Sequence, residues 1–406
     1  MSSGFHSRRA PCTFADLGMV SALGSTTAET WPRLVAGDQS RFTERDDLIP
    51  GLTRPFGQVR GELPEIPRSL SRYACRNNQI ALAAFEAIHD SVQEAIGSHG
   101  ASRVGIVAGS STAGLAEAEH AVREHTRSGA LPSAFDRVQL EHGGLAEFLR
   151  EVSGARGPCY ALSTACSTGA KALVSARGLL NLGVCDAVIA GAADSLCRLT
   201  ASGFHSLQAV CEGITNPMSR NRNGLTLGEG AAFFLVTRDR PGIQLLGAGE
   251  SSDAHHMSAP QPEGRGAESS MRAALLDARL PAEDIAYLNL HGTGTPHNDS
   301  MESAAIQRVF DTPTPSSSTK PLMGHTLGAS GALEAAVCWL VLAHGDAQGL
   351  RLPPHRYDGQ HDPALPPLTL VGEAERCTPG SPPALMTNSF GFGGSNCTLV
   401  IGLEAA

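Results

Sequence analysis

Short apolar runs alternate along the chain with longer stretches of helical spacing. The runs at residues 12–25, 102–114 and 185–195 end in Gly or Ser and predict buried strands. Residues 68–96 place apolar side chains at helical intervals and predict a helix, whereas residues 26–66, rich in Pro, Gly and charge, predict irregular backbone. Strands that alternate with helices are typical of an α/β protein in which helices cover parallel sheets.

From Gly242 the same order of elements begins again, which predicts an internal duplication. The expected units are a first half at residues 1–241 and a second half at residues 242–406. The matching segments are 14–25 with 242–253, 103–114 with 285–296, and the stretch around Cys166 with 317–342.

Two glycines set the register of this repeat. Gly169 follows Cys166 by three residues, and Gly328 follows His325 by three residues, each before a helix rich in Ala and Gly. Small residues allow two such helices to pack closely. We therefore expect the helices to pack about a pseudo-two-fold axis that brings Cys166 and His325 together.

Length and composition limit the class of protein. The 406-residue chain exceeds the roughly 250–300 residues at which a single core stops growing, so a two-part core is expected. A net charge of −9 argues against general nucleic-acid binding, and ten cysteines without short paired spacings favour neither a disulfide framework nor a zinc cluster. No signal peptide opens the chain and no apolar run of about 18 residues predicts a membrane span, so we expect a cytoplasmic protein with reduced thiols.

Cys166, in YALSTACSTGAKALVSAR (160–177), lies between a predicted strand and a predicted helix. A thiol at such a corner lies beside free N–H groups at the positive end of the helix dipole, which lower its pKa and favour a reactive thiolate. The same corner supplies an N–H for the oxygen of a thioester bound to the sulfur. The alternative is that Cys166 is a small buried residue without chemistry.

Two histidines stand at Gly-flanked turns after apolar runs: His291 in NLHGTGTP and His325 in KPLMGHTLGASG. Parallel α/β sheets place reacting groups at such strand ends. Lys320 and Glu334 flank His325, and as a buried pair they would orient that histidine; the alternative is two unrelated surface charges.

Three further features have both a functional and a structural interpretation. Thr293 and Thr295 hold an amide-rich substrate arm or only form a turn. Phe392, in the flexible run GFGG (391–394), is a mobile aromatic beside an acyl tunnel or part of a packed loop. Three arginines spaced four apart form a basic stripe that binds an acidic partner or only faces solvent; they are Arg68, Arg72 and Arg76.

With these motifs in place, the chain resembles the β-ketoacyl-[acyl-carrier-protein] synthases of the chain-elongating type, which are acyltransferases with the thiolase fold. The resemblance covers nearly the whole chain from about residue 12. It is carried by STACSTGA, RNRNGLTLGEGAA, HGTGTPHND, STKPLMGHTLGASGALEAA and NSFGFGGSN. It implies two duplicated βαβαβαββ halves in a five-layer α-β-α-β-α sandwich, with the nucleophile in the first half and both histidines in the second.

The resemblance also implies roles for these residues. Cys166 would accept the acyl group, and His291 and His325 would promote malonyl decarboxylation and stabilise the enolate. The supporting residues it implies are Lys320 and Glu334 as a pair, Phe392 with Gly391 at the gate, Thr293 and Thr295 at the substrate arm, and the N–H groups of Cys166 and Phe392 as an oxyanion hole.

Partners follow from the same resemblance. No metal or cofactor of its own is implied, because phosphopantetheine arrives on an acyl carrier protein, for which the three arginines would be a docking stripe. A homodimer, or a heterodimer with a chain-length-factor-like ketosynthase, would pair strands at roughly 185–195. The segments CRNNQ, ARGLL and GESSDAHHMSAPQPEG look most like the ketosynthases of aryl polyene and xanthomonadin-type pigment clusters.

The same fold also supports other functions. Chain-length subunits without catalytic activity usually lack the cysteine that this chain keeps, and a decarboxylase or acyltransferase could use the same residues without condensation. Ketosynthases that start chains carry Asn where this chain has His325. A thiolase needs a second catalytic cysteine, and Cys397 is in the wrong place for that role.

Overall fold

A mixed sheet of 11 strands runs through the molecule, whose computed structural model describes residues 10–238, 240–378, 380 and 382–403. The expected apolar runs form its inner strands, because a strand covered on both faces needs apolar side chains on both. The strands of the chain are β1 (Cys12–Val20), β2 (Thr43–Ile49), β3 (Leu52–Phe56), β4 (Val104–Gly109), β5 (Cys159–Leu162), β6 (Ala187–Asp194), β7 (Gly230–Thr237), β8 (Ile243–Ser252), β9 (Ile285–Asn289), β10 (Pro315–Ser317), β11 (Leu350–Arg351), β12 (Thr369–Leu370), β13 (Arg376–Cys377), β14 (Ala384–Gly391) and β15 (Ser395–Leu403).

The strand order of the sheet repeats about its centre. The order is β12-β10-β9-β14-β15-β8-β1-β7-β6-β4-β5, with β1 and β8 paired in the middle. Outward from β1 and from β8, the pairings are antiparallel, antiparallel, parallel and parallel in both directions. The predicted duplication of fold is confirmed. The expectation of parallel sheets is confirmed for the outer strands of each half and wrong for the inner ones, because β7 and β15 run antiparallel to β6 and β14.

Helices form three layers around this sheet. α6 and α11 pack against each other in the middle, α6 against β4 and β6 and α11 against β14 and β15. α2, α3 and α5 cover the outer face of the first half, while α8, backed by α9, covers the outer face of the second. The two halves of the sheet lie on either side of the α6–α11 pair, so three helix layers and two sheet layers alternate in the expected five-layer sandwich. The helices are α1 (Thr27–Ala36), α2 (Arg76–Glu86), α3 (His89–His99), α4 (Leu115–Ser128), α5 (His142–Ser153), α6 (Thr168–Asn181), α7 (Arg198–Ser206), α8 (Arg265–Ala278), α9 (Pro296–Val309), α10 (Lys320–Met323) and α11 (Ser330–Ala343).

Glycines let the two central helices approach closely. A Cβ added to Gly169 would lie 2.5 Å from the Ala332 nitrogen, and one added to Gly331 would lie 2.7 Å from the Ala170 nitrogen. Gly169 and Gly331 are each the second residue of a 14-residue helix. The repeat therefore matches Gly169 with Gly331. The prediction that matched it with Gly328 is wrong by three residues, because a 3₁₀ turn separates His325 from α11.

Two segments near the N-terminus differ from their predictions. Residues 26–66 are not irregular: they contain α1, whose first turn is capped by the Thr26 hydroxyl accepting from Glu29 N (3.1 Å), and the β2–β3 hairpin. Residues 68–96 are not one helix, because a 3₁₀ turn at Arg68–Tyr73 precedes α2, and α3 starts anew at His89. Apolar spacing continues across both breaks, so periodicity alone does not reveal them.

The edges of the sheet correct one further prediction. β6, within the segment 185–195 expected to pair across a dimer, is already hydrogen-bonded to β4 on one side and β7 on the other. β5 and β12 are the edge strands.

Residues 1–9, where a signal peptide was not expected, lie outside the described part of the chain. Within that part, no helix combines the length and apolar character needed to cross a bilayer.

Candidate active site

Cys166 lies at the corner between β5 and α6. The residue before it, Ala165, has φ +52°, in the left-handed region that residues with a Cβ rarely adopt. The Thr168 hydroxyl holds this corner by accepting from Thr164 N (2.8 Å) and donating to the Ala165 carbonyl (2.6 Å). A strained strand-to-helix corner is a known way to present a nucleophile, and here Cys166 lines a cavity.

The structure brings Cys166, His291 and His325 together. His325 Nε2 lies 3.0 Å from the Cys166 sulfur, and one polar atom from each of the three side chains lies within 4.8 Å of the others. The two imidazole rings are 5.5 Å apart and nearly perpendicular. Each of the three residues is at most 5% exposed. A thiol and two ring nitrogens therefore converge on one reacting position.

Burial determines the protonation state of this group. It raises the pKa of Cys166 to about 11, against smaller lowering effects of Lys320 and the Phe392 N–H. The expected net lowering of this pKa is therefore wrong, because desolvation outweighs the lowering by the neighbouring N–H groups. Burial also holds the pKa values of His291 and His325 well below their ordinary range. The resting site thus contains a thiol and two neutral imidazoles, one of which is positioned to take the thiol proton.

Lys320 and Glu334 form the expected buried pair, but its neighbour is His291. The Lys320 ammonium donates to the Glu334 carboxylate and to the His291 carbonyl, and lies 3.4 Å from His291 Nδ1. The prediction that the pair orients His325 is wrong, because β9 and β10 are adjacent and bring the two loops together. An ammonium only donates, so His291 Nδ1 accepts and His291 Nε2 carries the proton.

His325 is held by different groups. The backbone N–H of His325 donates to the Thr226 carbonyl (2.7 Å), and its backbone carbonyl accepts from Gly228 N (2.9 Å). Its Nδ1 lies 2.8 Å from the Ser330 hydroxyl oxygen, at the first turn of α11. A hydroxyl can donate or accept, so the tautomer of His325 is not fixed by this contact alone.

Two carboxylates that sequence reasoning missed hold the loop of His291. Glu302 accepts from the N–H groups of His291 and Gly292, each at 2.7 Å. Asp299 accepts from Gly294 N at 3.2 Å. Both are fully buried on α9, and burial raises the pKa of Glu302 to about 7. The signal was the pair of acidic residues three apart on a helix just after HGTGTP, which places both on the side facing the loop.

The β14–β15 turn completes the site from the C-terminal end of the chain. The N–H groups of Phe392 and of Cys166 itself are placed beside the Cys166 sulfur, where both lower its pKa. A Cβ on Gly391 would lie 3.2 Å from Cys166 N, so this approach leaves little room for a larger residue. The Phe392 ring lies 5.3 Å from the Phe204 ring on the cavity wall.

The cavity above the sulfur has a volume of about 330 Å³. Thr293 and Thr295 line it, and their hydroxyl oxygens are 2.9 Å apart. The lining also includes the apolar side chains of Phe204, Leu207 and Leu225. The cavity therefore offers hydroxyls to a polar arm and apolar surface to a hydrocarbon.

The three arginines do not form one helical stripe. Arg68 and Arg72 lie in the 3₁₀ turn and are exposed, Arg72 being 3.8 Å from Asp136. Arg76 begins α2 and binds the fully buried Glu229 through Nε (2.9 Å) and Nη2 (2.5 Å). The spacing gave a common face only if residues 68–96 were one helix.

Comparisons with known proteins agree with this site. Residues 69–241 match the family model described as beta-ketoacyl synthase, N-terminal domain, and residues 243–349 match its C-terminal domain. The chain is 30% identical to 3-oxoacyl-[acyl-carrier-protein] synthase 2 of Vibrio cholerae over 95% of this chain and 97% of that protein. It is 32% identical to nodulation protein E of Rhizobium meliloti, over 94% and 96%.

A solved structure extends the likeness to the whole fold. A chain of the complex of the ketosynthase ApeO with its chain length factor ApeC, from Xenorhabdus doucetiae, superposes with a TM-score of 0.91. The two chains are 40% identical, and all of each is covered. Family models, relatives and site geometry thus agree, and this chain belongs to the β-ketoacyl synthase family.

Proposed function

We propose that this protein is an elongating β-ketoacyl-[acyl-carrier-protein] synthase that joins an acyl group held on Cys166 to malonyl carrier protein with loss of carbon dioxide. The observation that carries the proposal is the 3.0 Å contact of the Cys166 sulfur with His325 Nε2, with His291 in the same cavity. A subunit without catalytic activity would have no use for this contact. Family membership makes the protein an acyltransferase.

In the first half-reaction the Cys166 sulfur attacks the acyl carbon of a carrier thioester. Its proton passes to His325 Nε2 as the new C–S bond forms, which avoids a free buried thiolate. The N–H groups of Cys166 and Phe392 stabilise the oxyanion. The bond to the carrier sulfur then breaks, and that sulfur leaves with the proton from His325.

In the second half-reaction malonyl carrier protein enters the same cavity. Its C–C bond to the carboxylate breaks, carbon dioxide leaves, and the electron pair becomes an enolate whose oxygen accepts from His291 Nε2–H. The enolate carbon attacks the acyl carbon, and the bond to Cys166 breaks. The sulfur takes one proton from water, which restores the thiol. The product is a β-ketoacyl chain longer by two carbons.

The substrate arm supplies what the protein lacks. Ketosynthases use no cofactor of their own, and the phosphopantetheine arm belongs to the carrier protein. Thr293 and Thr295 are placed to bind amides of this arm through their hydroxyls, and Phe392 with Gly391 forms the gate next to Cys166. The Lys320–Glu334 pair holds His291 in place through the contacts of the Lys320 ammonium with Nδ1 and with the His291 carbonyl.

We assign the substrate to the conjugated, aromatic-headed acyl chains of aryl polyene formation. The segments CRNNQ, ARGLL and GESSDAHHMSAPQPEG support this assignment, as does the 40% identity to a chain of the ApeO–ApeC complex. A dimer follows from the same relationship, with either a second copy or a chain-length-factor-like ketosynthase, and this chain is the catalytic member in both cases because it keeps Cys166.

The cytoplasm is the compartment that we propose for this reaction. All ten cysteines are free, which suits a reducing environment. The family's carrier-dependent chemistry points to the same compartment.

Carrier docking falls to Arg68 and Arg72, the two exposed arginines of the turn before α2. Carrier proteins of this kind are acidic, and the turn adjoins the Arg76–Glu229 pair, where Glu229 also accepts from Leu196 N beyond the end of β6. Arg68→Glu with Arg72→Glu should raise KM for a carrier-bound acyl group about 3–10-fold, since rim charges act mainly on encounter. A small synthetic thioester should be unaffected, as should Arg240→Glu, at the opposite end of the sheet. Equal losses on both substrates would contradict docking.

The nucleophile is tested by intact mass after incubation with acyl carrier thioesters of short and aromatic acyl groups. We expect a gain equal to the acyl group in the wild type and none in Cys166→Ala. The acylated protein, given malonyl carrier protein, should lose that mass and yield a β-ketoacyl carrier. Absence of any gain, also after co-expression with a chain-length-factor partner, would refute catalysis; a gain without condensation would favour a simple acyltransferase.

A further inference from the structure

The two catalytic histidines differ in what faces Nδ1. His291 Nδ1 faces the Lys320 ammonium at 3.4 Å, a group that can only donate. His325 Nδ1 faces the Ser330 hydroxyl at 2.8 Å, a group that can donate or accept. The first contact fixes one tautomer, and the second allows either.

A second hydroxyl completes the second contact. The Ser330 oxygen lies 3.1 Å from the Thr326 hydroxyl oxygen, and both residues are at most 2% exposed. When Ser330 accepts a hydrogen bond from Nδ1–H, its own hydroxyl can donate to the Thr326 oxygen. When Ser330 donates to Nδ1, it can accept from Thr326. Each direction leaves every hydroxyl with a partner, so neither tautomer of His325 leaves a buried polar atom unpaired.

The equivalent position in the first half behaves differently. Thr168, like Ser330, is the first residue of its central helix, but its hydroxyl bonds the backbone of its own corner at Thr164 and Ala165. Ser330 instead bonds a catalytic ring. The two hydroxyls therefore share a place in the fold and differ in task.

The proposed first half-reaction needs one tautomer in particular. His325 Nε2 can take the Cys166 proton only if it is bare, so a neutral ring must carry its proton on Nδ1. Such an N–H is buried and requires an acceptor, since an unpaired buried donor loses its hydrogen bond to water without replacement.

We propose that Ser330 is a positioning residue that accepts a hydrogen bond from Nδ1–H of His325 and so makes this histidine the base for Cys166. Lys320, which donates to His291 Nδ1, keeps the proton of His291 on Nε2. This inference rests on the proposed function. It assigns the proton removal of acylation to His325 and the stabilisation of the enolate chiefly to His291, through groups that do not touch substrate.

Ser330→Ala separates the two half-reactions. Without the acceptor, His325 shifts to the Nε2–H tautomer, and acylation measured by rapid-quench intact mass should slow about 100-fold, at the lower end of the contribution of general acid–base catalysis. Condensation, started from enzyme that is already acylated, should stay within about 3-fold, because His291 keeps its proton. Ser330→Thr keeps the hydroxyl and should restore most of the acylation rate. The matched control is Ser303→Ala, which removes an equally buried helix hydroxyl that bonds only main-chain carbonyls.

Nitrogen NMR of protein with ¹⁵N-labelled histidine provides a readout that does not depend on turnover. The His325 Nδ1 signal, identified by its loss in His325→Gln, should show a protonated nitrogen in the wild type and an unprotonated one in Ser330→Ala. An unchanged signal, or equal losses in both half-reactions, would overturn the role of Ser330. A wild type that accepts no acyl group would refute the proposed function, while the NMR result would still decide the tautomer.

Discussion

The corner before α6 and the corner before α11 are equivalent in the duplicated fold. Ala165 and Leu327 occupy the same place, with φ of +52° and +53°. Each is followed one residue later by Cys166 or Gly328, and then by the packing glycine of the helix. The backbone strain and the close helix contact are thus present twice, although the sequences of the two corners share few side chains.

The chemistry of the corners differs for a steric reason. Gly328 stands where the first half has Cys166, and a Cβ there would lie 2.7 Å from the buried Asp194 carboxylate and 3.2 Å from Ser111 N. A side chain at that position would have to displace Asp194. The second half therefore supplies His325 from three residues earlier, before the 3₁₀ turn. The comparison teaches that the duplicated backbone carries the packing, while reactive groups occupy positions that packing leaves open.

The close contact of the two helices is the feature most easily broken. Gly169→Ala should lower the free energy of unfolding by about 1–3 kcal/mol, because its Cβ meets the backbone of α11. Gly178→Ala, in the same helix with no atom within 4 Å of the added Cβ, should raise it by about 0.5–1 kcal/mol. Urea denaturation measures both. Similar effects of the two substitutions would show that the helix contact is not tight.

The first corner is sharpened by the pH dependence of thiol alkylation. Since burial raises the pKa of Cys166 to about 11, its thiolate fraction grows tenfold per pH unit below that value. Alkylation by iodoacetamide, followed at the Cys166 peptide, should therefore rise about 100-fold between pH 7 and pH 9. A rate that levels off below pH 7 would instead indicate a thiolate paired with a charged histidine. Exposed thiols of a small peptide give the reference curve.

The second half is tested at Glu302, which contacts His291 through the backbone N–H of that residue. The Glu302 carboxylate accepts from two backbone N–H groups, those of His291 and Gly292. In Glu302→Gln the amide NH₂ cannot accept, so it would face one of these N–H groups as a second donor, and the His291 loop should shift. We expect kcat for condensation to fall about 10-fold, equivalent to about 1.4 kcal/mol, with KM little changed. Glu268→Gln, in a half-exposed cluster with Arg272 and Arg308, is the control and should change kcat less than 2-fold. Equal effects of both substitutions on kcat would show that the position of the His291 loop does not limit condensation.

Much of the fold was predictable because its strands are buried on both faces and its motifs stand at strand ends. The duplication and the convergence of Cys166, His291 and His325 were predicted from local signals of that kind, whereas the five-layer sandwich was implied by the family resemblance. The register of the repeat was predicted wrongly, because glycine spacing does not reveal that a 3₁₀ turn intervenes before α11.

The remaining differences depend on contacts between distant residues. Lys320 turned out to support His291, since the pairing of β9 with β10 decides which loop it meets. Arg76 is committed to Glu229, 153 residues away, and so leaves the expected stripe. The pKa of Cys166 follows from total burial, a property of the assembled core rather than of the corner.

The separation of Cys166 from His325 by 159 residues has a consequence for synthesis of the chain on the ribosome. The proposed nucleophile emerges first, its two histidines follow much later, and the Phe392 N–H comes from the turn between β14 and β15. A chain extended only as far as α6 therefore contains the thiol without the proposed base and without the second N–H of the oxyanion site. On the proposed function, acyl loading must wait until the chain as far as Phe392 has been made and folded.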